Sequence, residues 1–189
     1  MKRTHITIAV AAIVVFASLA LPAAPAAGQM DERIKQGMGL TTDSLEAILK
    51  DLQTYDTSDV GPAMRLRAYV FAHKDNAPAR KETETALLRF IQGSPAPAGL
   101  VAACRALRLV GGPDSVPVLA ALALKPETTD AARYALERIP GGEADRALGE
   151  AMGKATGAVK RGIVFSLGER KTAAAVPALT GLAADKDAA

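Results

Sequence analysis

The 189-residue chain has no tryptophan, a single cysteine, two histidines and an aromatic fraction of 4%. Each shortage closes a class of explanation. One cysteine excludes a disulfide within the chain. A protein metal site takes three or four ligands, and beyond the first thirty residues the only histidine is His73. With four Phe and three Tyr, the core falls to Ala, Leu and Val. Small residues at that density suit helices packed closely side by side. A sandwich or barrel would want β-branched and aromatic strands bounded by turns, and no stretch shows sustained apolar–polar alternation. An apolar fraction of 49% is too high for a disordered chain.

A strong excess of one charge is also missing. All 20 acidic residues lie at or beyond Asp31 and only Lys2 and Arg3 of the 23 basic ones lie before it, so the remainder carries about +1. Basic and acidic residues are mixed, as in Arg80-Lys81-Glu82 and Glu169-Arg170-Lys171. A nucleic-acid partner would call for a basic patch or stripe, and none is expected here.

The one long apolar run lies at the start. Lys2, Arg3 and His5 precede Ile6–Leu21, Pro22 ends the run, and Ala23, Ala24, Pro25, Ala26, Ala27 and Gly28 follow. A positive end, an apolar stretch shorter than the ~20 residues that span a bilayer and small residues at the exit read as a secretory signal peptide over residues 1–28. The expected protein is exported, periplasmic or extracellular, with no membrane association after cleavage. Cys104 lies in the apolar run Leu100–Val110 and reads as a small buried hydrophobe.

Self-similarity organises the rest. Ala103–Val110, Ala132–Ile139 and Lys160–Leu167 superimpose, with Val110, Ile139 and Leu167 spaced by 29 and 28 residues. Leu107, Leu136 and Val164 keep that spacing, and the apolar i, i+3, i+7 pattern marks one helix face. A second helix follows each segment, where Leu119, Leu148 and Leu179 correspond, as do Leu122, Ala151 and Leu182. Val116-Pro117-Val118-Leu119 and Val176-Pro177-Ala178-Leu179 place proline in a first helical turn. The glycines of Gly111-Gly112-Pro113, Pro140-Gly141-Gly142 and Gly168-Glu169-Arg170-Lys171 are expected at left-handed helix ends, with Thr129 and Thr172 as N-caps. The unit is helix–turn–helix, about 29 residues long. Upstream, residues 29–59 hold one helix with the apolar face Leu45, Ile48, Leu49, Leu52, capped by Thr42 or Asp43. Residues 60–93 form a less regular pair, Ala63–Ala72 and Glu82–Ile91, joined by the turn Lys74–Pro78. Gly93–Pro97 separates them from the regular repeats, residues 98–189.

The strings Ala132-Arg133-Tyr134-Ala135-Leu136-Glu137-Arg138-Ile139-Pro140, Gly162–Gly168 and Ala175–Leu179 resemble the HEAT-like repeat family in its short, phycobilisome-lyase-type bacterial form. The likeness is to secreted HEAT-repeat proteins of planctomycete-type lineages and covers about residues 60–189. It implies an all-α fold, a right-handed α-solenoid. In that family the array often begins a longer exported protein with a haem-binding or sugar-active domain downstream. The last residues, Ala183–Ala189, read as the turn opening another repeat, so the array is expected to continue past Ala189.

Chemistry-bearing motifs fail on inspection. Gly149–Thr156 has one residue too few for a phosphate loop, and Ala155 follows the lysine where a magnesium-binding hydroxyl is needed. Ser166 has Gly168 after it but Val164 before it, unlike a nucleophile elbow. His73 ends a helix, where a positive ring is favourable. No catalytic residue, metal site or cofactor is expected. Arg133 and Arg161 share a repeat position and Arg105 is one residue from it, so stacking would align three guanidiniums that grip an acidic partner; the competing expectation is bridging to Asp130 or Glu137. The expected function is an exported scaffold binding a protein or peptide through a concave repeat surface. The alternative is an accessory N-terminal module of a larger exported enzyme or c-type cytochrome, with those domains of the same polypeptide as its partners.

Overall fold

In a computed structural model, residues 43–173 and 175–184 are described. The leader at 1–28, the segment 29–42 and the residues after Ala184 lie outside the described residues, as does the side chain of Leu182. The described residues form nine α-helices, one 3₁₀ turn and no strand. In chain order these are α1 (Leu45–Leu52), α2 (Gly61–His73), α3 (Ala77–Gln92), α4 (Pro97–Val110), the turn Pro113–Ser115, α5 (Val116–Ala123), α6 (Thr129–Leu136), α7 (Gly142–Lys154), α8 (Gly157–Glu169) and α9 (Ala175–Ala184).

Helix starts follow the proline positions. Pro62, Pro78, Pro97 and Pro117 each sit in a first turn, where the missing N–H has no intrahelical partner to lose. Ser44 caps α1, its Oγ accepting from the Ala47 N–H at 3.2 Å, so the expected cap moves one residue past Asp43. Asp43 instead pairs with Arg65 at 3.0 Å. The connection between α2 and α3 is shorter than the expected Lys74–Pro78, because Asn76 caps α3 directly.

Packing alternates along the chain. α2 packs on α4, α4 on α6 and α6 on α8, forming one row; each member also packs on the helix next to it in sequence, as α3 does on α4, α5 on α6 and α7 on α8. α5 packs on α7 in the second row. The spacing of the buried residues follows the repeat: Leu107, Leu136 and Val164 are fully buried, as are Leu119 and Leu148, and Val110, Ile139 and Leu167 are at most 2% exposed. Ala103, Ala106, Ala132 and Ala135 are buried on α4 and α6, two helices in contact. Their methyl groups let the backbones approach, which explains how so few aromatics suffice.

Leu179 departs from the expected register, with 38% exposure. It reaches α8, since its Cδ1 lies 3.7 Å from the position a Cβ on Gly168 would take. Among the described residues α9 packs chiefly on α8, and Leu179 is left partly exposed.

Gly141 takes a positive φ of 97° between α6 and α7, as expected, but the other helix ends differ from expectation. Gly111 and Gly112 have φ of −63° and −135°, outside the left-handed region. Gly111 is held by space instead, since a Cβ there would lie 2.5 Å from the Leu107 carbonyl oxygen. Gly168 is inside α8, and Lys171 takes the left-handed position with φ 56°. The Lys171 N–H donates to the Gly168 carbonyl at 2.8 Å and the Thr172 N–H to Leu167 at 3.1 Å, a Schellman closure built on lysine. Thr172 therefore belongs to the end of α8. Thr129 is a buried first-turn residue rather than a cap; Thr128 precedes the helix, and its hydroxyl donates to the Leu122 carbonyl at 2.7 Å.

Candidate functional site

Successive repeats are locked by polar joints, one in each row. Glu84 on α3 is 3% exposed. Its Oε1 accepts from the Ser115 hydroxyl and from the Gly112 N–H, both at 2.7 Å, and Oε2 accepts from Lys81 at 3.0 Å. Burial pushes this carboxyl up, but the bonds from Ser115, Lys81 and Gly112 outweigh it and hold the group below the usual glutamate value. In the other row the Ser166 hydroxyl on α8 donates to Glu137 at 2.9 Å. Ser166 is fully buried and engaged in packing the array. Arg170 closes the end of α6: it donates to the Leu136 and Ile139 carbonyls at 2.7 Å and to Gly141 at 2.9 Å, and it pairs with Asp145.

The cysteine and histidine are similarly occupied. Cys104 is fully buried, and burial pushes its thiol up to about 12, so no thiolate forms at neutral pH. His73 stacks on Tyr69 with ring centroids 4.1 Å apart, and its Nδ1 lies 2.7 Å from the Tyr69 carbonyl oxygen. Among the described residues there is no group of three or more His, Cys, Asp or Glu placed to hold a metal ion, and no helix is long and apolar enough to cross a membrane.

The three arginines of the repeat column differ in setting. Arg133 on α6 is turned to its own helix, with Nε 3.0 Å from Asp130 and Nη1 3.5 Å from Glu137. It lies along α8, its Nε 3.1 Å from where a Cβ on Gly162 would sit. Arg161 is exposed on α8. Arg105 is exposed on α4 and lines a groove of about 570 Å³ between α2 and α4.

That groove gathers five of the eight large apolar side chains exposed among the described residues: Val60, Met64, Phe71, Leu109 and Tyr134. Val60, at the N-cap of α2, and Met64, Arg67 and Phe71 within it follow one another at intervals of four, three and four residues, which places them on one helix face. Val60, Met64 and Phe71 are 65%, 54% and 48% exposed, while Leu66 and Val70, next to this stripe, are buried at the floor of the groove. α2 therefore carries an exposed apolar stripe beside its buried one, and no described helix covers it. α4 contributes Arg105, Arg108 and Leu109, and α6 contributes Tyr134. Two guanidiniums stack on rings: Arg108 lies 4.1 Å from the Tyr134 centroid and Arg67 lies 5.6 Å from Phe71. Such stacking orients each cation at the groove. The residues lining it include three arginines and no Asp or Glu.

Of the arginine column, only Arg105 belongs to this groove. The others that matter there, Arg67, Arg108, Met64, Phe71 and Tyr134, were not anticipated. Their signal in the sequence is the second apolar stripe of α2, which a search for a single buried face passes over. Comparison of the chain with protein-family models, curated proteins and solved structures finds no match.

Proposed function

We propose that the chain is an exported interaction scaffold, a right-handed α-solenoid of HEAT-like repeats that binds a protein or peptide and carries no catalytic activity of its own. The observation that carries this reading is the groove between α2 and α4, where Val60, Met64, Phe71, Leu109 and Tyr134 expose large apolar surface on neighbouring helices. Contiguous apolar surface of this kind on a folded chain marks an interaction site. The alternation of helices between two rows supports the solenoid, and the tripartite sequence of residues 1–28 supports export. The test is photocrosslinking in the native host, with a benzophenone amino acid replacing Phe71 in one strain and Lys154 in another. Discrete protein adducts from position 71 on a chain that starts near Ala27–Gln29 are the expected result. Equal adducts from both positions, or none from either, overturn the scaffold reading; a chain retaining Met1–Ala26 overturns cleavage and export.

A further inference from the structure

We infer that the α2–α4 groove takes a short acidic peptide segment carrying large apolar side chains; this inference rests on the scaffold reading and names the chemistry of its partner. The argument is charge complementarity on an apolar floor. Arg67, Arg105 and Arg108 line the groove with no carboxylate among its lining residues. Among the described residues neither Arg67 nor Arg105 has an ion-pair partner, and both are exposed at the groove. Three guanidiniums lining one groove without a carboxylate concentrate positive charge there, in a chain whose net charge is only +3. Guanidiniums match carboxylates in planar, two-point geometry.

The apolar part sets the rest of the partner. Ala63, Ala102 and Ala106 lie along the groove, and a methyl group leaves room above it. Met64 adapts to varied shapes, while Phe71 and Tyr134 offer ring faces already stacked on arginine. From Val60 to Phe71 the face of α2 runs about 16 Å at 1.5 Å per residue. That is the reach of about five extended residues. A partner of that length with two or three Asp or Glu and one or two Leu, Ile or Phe satisfies both parts of the groove.

The test uses a phage-displayed library of random twelve-residue peptides, selected against the full-length chain and against Arg105→Glu and Met64→Ser/Phe71→Ser variants. All substituted residues are exposed or line the groove, and circular dichroism confirms that each variant folds. Enriched peptides synthesised with a fluorescein label are then titrated by anisotropy at low and high salt. The expected result is enrichment of acidic, apolar-bearing peptides whose affinity falls about tenfold in Arg105→Glu, a loss that high salt diminishes. Enriched peptides that are neutral or basic, yet lose binding in Met64→Ser/Phe71→Ser, overturn the acidic chemistry and leave the groove as a docking site. Peptides that bind all variants equally, or no enrichment, overturn both. Binding to vesicles containing phosphatidylglycerol without peptide enrichment, or a dimer that the groove substitutions dissolve, assigns the groove to a lipid surface or a second copy and likewise overturns the inference.

Discussion

Removing the carboxylate of Glu84 tests how the rows are joined. Three donors converge on it from α3 itself and from the turn before α5: Ser115, Gly112 and Lys81. Ser115 is fully buried and Glu84 is 3% exposed, so water does not replace what is lost. Glu84→Ala leaves the Ser115 hydroxyl and the Gly112 N–H without their acceptor, at about 1–3 kcal/mol each for a buried unsatisfied group. Part is recovered because a charge no longer has to be held away from water. The expected net loss is about 2–4 kcal/mol. Ser115→Ala removes one donor and should cost about 1 kcal/mol. Since the two share a bond, the double variant should be less destabilised than the sum by about 1 kcal/mol or more.

The same site carries a pH dependence of known sign. The folded carboxyl is held below its ordinary value, so its contribution is complete above the unfolded-state value near pH ~4.3 and is lost as pH falls through the folded value. Urea unfolding followed by circular dichroism, at neutral pH and at several points below pH ~5, measures both effects. Glu84→Gln, which cannot titrate, should flatten the acid limb relative to wild type. A coupling energy below ~0.5 kcal/mol between Glu84 and Ser115, together with an unchanged acid limb in Glu84→Gln, would show the joint to be a passive contact that does not hold the rows together.

Leu136→Ala should cost roughly 2–5 kcal/mol, because Leu136 is fully buried; Leu179→Ala, at 38% exposure, should cost less than half as much in the same urea titration. Arg170→Met should destabilise by about 2–3 kcal/mol, since charge-assisted bonds to the end of α6 disappear, and Arg170→Lys should restore little of it because one ammonium does not span the Leu136, Ile139 and Gly141 carbonyls; equal stability of Lys and wild type would contradict this. Lys171→Gly should raise the thermal midpoint, with a gain of about 0.5–1 kcal/mol, as glycine takes a left-handed φ without the Cβ clash but loses more entropy on folding.

The parts legible in the sequence are those in which one residue decides one face. Leu107, Leu136 and Val164 occupy helical positions where an aliphatic side chain has only one stable place, and periodicity locates it. Proline in a first turn is similarly local, and Pro117 marks the start of α5 in both sequence and structure. The helix ends are less legible because a cap is a choice among neighbours. Asp43, Ser44 and Thr42 all carry acceptors, and the selection of Ser44 depends on Arg65, from the next helix, drawing Asp43 away. Glycine misleads in the same manner: Gly111 is required by the Leu107 carbonyl and Ile139 pressing on it, a tertiary demand that resembles a turn signal.

The polar joints and the groove are illegible for a deeper reason. Glu84 and Ser115 lie 31 residues apart and Glu137 and Ser166 lie 29 apart, close to one repeat length, yet a Glu and a Ser at that separation carry no local pattern. Only stacking brings them together, and only burial gives the bond its energetic weight. The groove depends on the same register. α2 presents its second apolar stripe beside Arg105 and Arg108 because α2 packs directly on α4, and α6 adds Tyr134 because α4 packs on α6. A slip of one residue in α4 rotates Arg105 by about 100° around its helix axis, at 3.6 residues per turn. The guanidinium would then leave the trough, and the buried Leu107 would turn out of the core with it. The surface chemistry of the groove is therefore held in place by the interior leucines of the repeat, and substitutions that loosen the core around Leu107 should weaken binding in the groove without touching a single lining residue.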